Sequence, residues 1–259
     1  YINQLVSTYQ QLEQYHQAET FILSLLKRLN YPAFLVDLGY NYQLKKDLQK
    51  ANDYYNQALS SIEANVNNVF SIARSFQGYS LLNETVVAYE KAMAINPDLN
   101  FQLQLAQIYG EQGNVEKMFI SYMDFVKNNP TALSIIKRSI NDFISENNEN
   151  ENNILLRRLL LKNLQQDQDL IWSDLLSWLF IQQKELGKAF IQEKAIYNRQ
   201  PESLNRIEEL VQIALSDNDD ATAQEILSYI IETAQDTETL LNAHYNLLQL
   251  EVKTNTNKN

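Results

Sequence analysis

The sequence predicts an all-α protein, a solenoid of antiparallel helical hairpins, and three observations carry that prediction. A pattern of leucine or isoleucine, an aromatic, and a compact or flexible residue recurs every 33 or 34 residues. The prolines keep nearly the same beat, and five glycines with four prolines in 259 residues leave little turn chemistry for a sheet of many short strands. An apolar content of 45% is enough for a sizeable core, so the chain is not disordered as a whole.

The pattern is plainest in four stretches that begin at Leu5, Leu38, Ile72 and Leu105. Each starting residue is followed four positions on by an aromatic: Tyr9, Tyr42, Phe76 and Tyr109. Nine positions later comes a residue that opens a second helix: Ala18, Ala51, Thr85 and Met118, at intervals of 33, 34 and 33. Leu176, Phe180 and Ala189 continue the series, as do Leu210, Ala214 and Ala223. Within a unit the apolar residues recur at three and four. Leu35, Leu38 and Tyr42, then Leu48, Ala51, Tyr55 and Ala58, make two short amphipathic helices with Lys45-Lys46-Asp47 as the turn. Neither helix can bury its stripe alone, so stacked hairpins supply the core.

Laid along the chain, this gives one array. Its units are 1–30, 31–64, 65–97, 98–130, a divergent 131–168, 169–201 and 202–235, followed by a terminal helix over 238–252. Pro32, Pro97, Pro130 and Pro201 mark joints, since proline lacks an N–H and suits a helix's first turn. The divergent unit holds the polar run 145–153, which has no apolar residue to bury and is expected to be a loop. Asp217-Asn-Asp-Asp220 lacks the glycine and glutamate of a calcium loop and is expected to cap the helix that starts near Ala221.

Over 34 residues, Leu38, Gly39, Tyr42, Ala51, Tyr55 and Ala58 resemble the tetratricopeptide repeat, and Leu105, Ala106, Tyr109, Gly113 and Pro130 nearly match it. Gly39 and Ala51 would sit where the two helices cross, with Tyr42 in the adjoining gap. The resemblance implies a right-handed superhelix whose first helices line a concave groove. The phrases QLAQIYGEQGNVEKM and SWLFIQQKELGKAFIQEKAIY are similar to tetratricopeptide proteins of Bacteroidota. Those proteins are typically longer and carry an export signal, so the resemblance implies a periplasmic or cell-envelope setting first and the cytoplasm second.

A net charge of −11 disfavours nucleic acid and anionic lipid as partners. No apolar run reaches the roughly 18 residues of a membrane-spanning helix. The absence of cysteine removes disulfides and thiol catalysis. With two histidines, His16 and His244, both expected at the surface, and no cysteine, most nucleophile and base arrangements cannot be assembled, and no catalytic residue, cofactor or metal site is expected.

The expected site is the groove. The resemblance places Asn3, Ser7 and Gln10, then Val36, Tyr40 and Gln43, then Phe70, Arg74 and Gln77, then Leu103 and Gln107 along it. Tyr40, Gln43, Phe70, Arg74, Gln77 and Gln107 alternate aromatic faces with hydrogen-bonding groups that suit an extended peptide or a partner helix. Trp178 falls on a groove position, whereas Trp172 is expected in the core. Two readings follow: a non-catalytic scaffold that binds a protein or peptide, or an envelope protein that stacks a glycan or small ligand on Trp178, Tyr40 and Phe70.

Overall fold

The computed structural model describes residues 2–256, which form fifteen α-helices and a short 3-10 turn, with no strand among the described residues. The chain divides into two compact units, Tyr1–Phe125 and Val126–Asn259.

The first unit contains α1 (Ile2–Gln11), α2 (Tyr15–Leu29), α3 (Ala33–Leu44), α4 (Leu48–Ala64), α5 (Asn68–Gly78), α6 (Leu82–Ile95), α7 (Gln102–Glu111) and most of α8 (Val115–Asn128). Helices α1/α2, α3/α4 and α5/α6 pack as antiparallel pairs, and α3 also packs on α5 as α4 does on α6. The result is two layers, one of first helices and one of second helices. Helix α3 lies between neighbours and is buried at eight of its twelve positions, among them Val36, Leu38 and Gly39.

The second unit contains α9 (Leu133–Asn141), α10 (Glu151–Asp167), α11 (Leu170–Gln182), α12 (Leu186–Arg199), α13 (Asn205–Ser216), α14 (Asp220–Thr233) and α15 (Thr237–Thr256). Helix α11 is apolar nearly all round and is the buried centre, with Trp172 1% exposed. Helices α11/α12 and α13/α14 pair closely, and α15 packs on α14.

Six turns between paired helices share one backbone design. Glu13, Lys46, Ser80, Gly113, Lys184 and Asn218 all have positive φ, between 56° and 72°. Each stands five residues before the repeated small position, at Ala18, Ala51, Thr85, Met118, Ala189 and Ala223. After each, the next N–H donates back to the carbonyl of the repeated aromatic position: Gln14 to Tyr9, Asp47 to Tyr42, Leu81 to Phe76, Asn114 to Tyr109 and Glu185 to Phe180, with Ala214 accepting from Asp219. This is a Schellman closure, which satisfies carbonyls left open at a helix end. The next turn then starts as the N–H of the small residue donates to the residue after the left-handed one, as in Ala51 to Asp47 at 3.0 Å. All six small-position residues are at most 1% exposed.

The four prolines fall in links from a second helix to the following first helix, as the sequence implies. The polar run of the divergent unit departs from expectation. The loop covers 142–150, and α10 already begins at Glu151. Asn150 caps α10 by accepting from the N–H groups of Asn152 and Asn153. Asn153 is fully buried and donates to the carbonyls of Ser145 and Asn147 at 2.7 and 2.8 Å. The run thus buries a polar knot in place of an apolar face, its amide satisfying loop backbone. Asp219 caps α14 through the Thr222 N–H, the role expected of the aspartate cluster.

Candidate functional site

In the first unit the expected groove residues lie on α1, α3, α5 and α7. Phe70 is 53% exposed, and Arg74, Gln77 and Gln107 are exposed as well. Arg74 has no ion-pair partner among the described residues. Phe70 stands edge-on to Phe101 at 5.5 Å, and Phe101 packs on Tyr89 at 4.6 Å, so a ladder of rings runs from the exposed face into the core.

Tyr40 and Gln43 are half-buried and already engaged. The Tyr40 ring stacks on Tyr79 at 4.0 Å, and the Tyr79 hydroxyl donates to Asp37 Oδ1 at 2.9 Å. Gln43 Oε1 accepts from the Tyr55 hydroxyl at 2.9 Å. Burial pushes the Asp37 carboxyl up to about 6, against the opposing Tyr79 hydrogen bond. One face of Tyr40 is therefore covered, and its ring ties α3 to the end of α5.

Two residues expected on the groove are elsewhere. Val36 is fully buried because α3 is covered on nearly every side, and Gln10 is buried at the end of α1. His16 and His244 are exposed, as expected, and no group of three or more potential ligands is placed to hold a metal among the described residues. No helix is long and apolar enough to cross a membrane among the described residues.

In the second unit Trp178 is half-buried and lines a cleft of about 170 Å³ with Lys137, Asp174, Glu193 and Arg206. These four residues, from four helices, form one network. Arg206 grips Glu193 with Nε and Nη2 at 2.7 and 2.8 Å and reaches Asp174 with Nη1 at 2.8 Å. Lys137 completes Asp174 from α9, and the Ser177 hydroxyl donates to the buried Glu193. Burial raises the Asp174 carboxyl, but the Arg206 and Lys137 contacts outweigh it and hold the group below the usual carboxylate range. The Arg206 guanidinium is pushed further up, first by its hydrogen bonds to Glu193. Two cations and two carboxylates cancel, so the network fixes helices α9, α11, α12 and α13 without leaving a free charge.

The hairpin of α3 and α4 carries a similarity to a known family. Its crossing brings Gly39 against Tyr55, with Ala51 buried beside them, and residues 32–65 match the family model for the tetratricopeptide repeat. This segment is similar to a tetratricopeptide repeat. Among solved structures, the chain is similar to Naa15/Naa10 bound to HypK-THB at 12% identity and a TM-score of 0.37, over 93% of this chain and 38% of that one. The chain thus spans well under half the length of that structure's chain. It is also similar to a tetratricopeptide repeat protein from Parabacteroides merdae, at 14% identity and a TM-score of 0.30, over 96% of each chain. A third similarity is to the assembly chaperone of RpL4, at 14% identity and a TM-score of 0.31, over 98% of each chain. No curated protein matches the sequence.

The tetratricopeptide repeat supplies Tyr40 and Gln43, while Phe70, Arg74, Gln77 and Gln107 come from the helices after it. The Asp174, Glu193, Arg206 and Lys137 network was beyond sequence reasoning, since its partners are 13 to 37 residues apart on different helices. One signal was available. Glu193 stands four residues after Ala189 on the apolar stripe of α12, where a carboxylate requires a buried partner.

Proposed function

We propose that the chain is a non-catalytic protein-interaction scaffold that holds a peptide or partner helix along the first-helix face of its first unit. One observation carries this reading: Phe70 is 53% exposed, and one turn further on the same helix Arg74 is exposed without an ion-pair partner among the described residues. A large apolar side chain beside a free guanidinium offers a partner both an anchor and a charge-assisted bond to a carboxylate. Gln77 and Gln107 on adjacent first helices add amide groups for a peptide backbone. Tyr40, Tyr79 and Asp37 form a braced wall next to them, so the face is held in shape before a partner arrives.

The glycan reading has less support. The cleft at Trp178, about 170 Å³, is below the roughly 300 Å³ at which pockets begin to enclose a ligand. Tyr40 also has one face taken by Tyr79. A peptide display selection on the purified protein tests the proposal. Enriched peptides should share an apolar residue near a carboxylate and should lose binding to the Phe70→Ala/Arg74→Ala variant. Equal retention by that variant, or selective binding of glycans lost on Trp178→Ala, overturns it.

A further inference from the structure

Negative charge is distributed very unevenly. Residues 201–256 carry eleven carboxylate side chains against Arg206 and Lys253, which places −9 of the chain's −11 in this segment. Both cations are already engaged, Arg206 with Asp174 and Glu193, and Lys253 with Asp220. A cleft of about 410 Å³ opens in the same segment. Helix α13 contributes Glu208 and Glu209 to its rim, α15 contributes Asn242 and Asn246, and the buried Leu227 and Ile230 of α14 form its floor. Neither Glu208 nor Glu209 has an ion-pair partner among the described residues. At Asn246 this cleft meets a second hollow of about 730 Å³, bordered by Tyr245 and Leu248, each 61% exposed.

We propose that this face binds a basic amphipathic segment of a partner protein. Its apolar side chains lie on Tyr245 and Leu248, and its lysine or arginine heads meet Glu208 and Glu209. Charge decides the occupant. A second copy would set −9 against −9, and nucleic acid or an anionic membrane would be repelled, whereas a cationic segment gains from the whole field and from two free carboxylates. The apolar shelf distinguishes a peptide from a small cation, which has nothing to place there. The proposal rests on the protein-binding reading but uses none of the residues assigned to it.

The test uses fluorescence anisotropy with a labelled synthetic peptide of leucine and lysine at helical spacing, about four turns long, in about 0.1 M salt. Its scrambled counterpart and a leucine-glutamate analogue serve as comparisons. Saturable binding of the leucine-lysine peptide is expected, weakened about tenfold or more by Glu208→Gln/Glu209→Gln and by Tyr245→Ala/Leu248→Ala. The variant Glu225→Gln/Glu232→Gln removes the same charge from α14 and should change affinity less than about twofold. Phe70→Ala/Arg74→Ala should leave this affinity unchanged even if it abolishes partner binding at the first unit, so the two proposals fail separately. Equal weakening by both glutamate pairs, or equal binding of the scrambled peptide, reduces the effect to diffuse attraction and overturns the proposal.

Discussion

The ring of Tyr55 occupies the space that a side chain on Gly39 would need. A Cβ built on Gly39 would collide with Tyr55 Cε1 and fall 3.0 Å from the Ala51 carbonyl oxygen. The ring cannot swing clear easily, since it is 4% exposed, packs edge-on to Phe76 and is tied to Gln43 through its hydroxyl. Helices α3 and α4 approach this closely only because residue 39 has no side chain.

Gly39→Ala should therefore destabilise the first unit by about 1–3 kcal/mol, the usual cost of overpacking. Circular dichroism during urea unfolding measures it. Tyr55→Phe keeps the packing and should lose only about 1 kcal/mol with the hydrogen bond to Gln43. A Gly39→Ala variant as stable as the parent would mean the helices can separate without cost.

The repeated turns give a prediction of opposite sign. Lys46 and Ser80 hold left-handed backbone at φ 65° and 56°, a conformation that favours glycine. Lys46→Gly and Ser80→Gly should each stabilise by up to about 1 kcal/mol, because relief of strain exceeds glycine's entropy cost. Gly113→Ala, where a Cβ meets nothing but φ is 72°, should cost about 1 kcal/mol. Urea midpoints for the three variants settle the matter.

These turns show where the sequence was legible and where it was not. The hairpins could be read because leucine, aromatic and small residues recur at fixed spacing and each must meet its counterpart in the core. The turn conformation could not be read, since Glu13, Lys46, Ser80 and Lys184 are not residues that announce positive φ. The hydrogen bonds of the closure impose it on them. Asn153 was hidden for a related reason: in a run of Asn and Glu, nothing local shows which amide turns inward. The resemblance put Val36 on the groove, but whether a helix position lines a groove depends on how far its neighbours cover it, and α3 is buried at eight of its twelve positions.

Arg206→Ala should be among the most damaging single changes in the second unit. It strips Glu193, 4% exposed, of its bidentate partner and leaves only the Ser177 hydroxyl. A buried carboxylate so exposed costs about 3–5 kcal/mol. Glu193→Gln combined with Arg206→Met should recover much of this, because no charge is then left unpaired. Trp172 and Trp178 both lie in this unit, so tryptophan fluorescence follows its unfolding directly. Asp174 adds a pH dependence. Its carboxyl is held low in the folded state, so its stabilising contribution is present above the ordinary aspartate range and is lost as pH falls through the depressed value.

Asp37 works in the other direction. Its carboxyl is raised from 3.8 to about 6, so the folded state holds this proton more tightly than the unfolded chain. The resulting stability is full below pH 3.8 and is lost as pH rises through about 6. Asp37→Asn keeps an acceptor for the Tyr79 hydroxyl and removes the buried charge, and should raise stability at neutral pH by roughly 2–3 kcal/mol. Urea unfolding at pH 5 and pH 8 compares the two. The gain should appear at pH 8 and shrink at pH 5.

Site-specific photo-crosslinking in the native cell tests the scaffold reading most directly. A photoreactive residue at Gln77, on the exposed face of α5 beside Arg74, should trap a protein partner through one defined peptide. That adduct should disappear when Phe70→Ala/Arg74→Ala is introduced and persist when the probe-bearing protein carries the remote Glu225→Gln. An adduct indifferent to Phe70 and Arg74, or none at Gln77 while the purified protein turns over a substrate, would contradict the account.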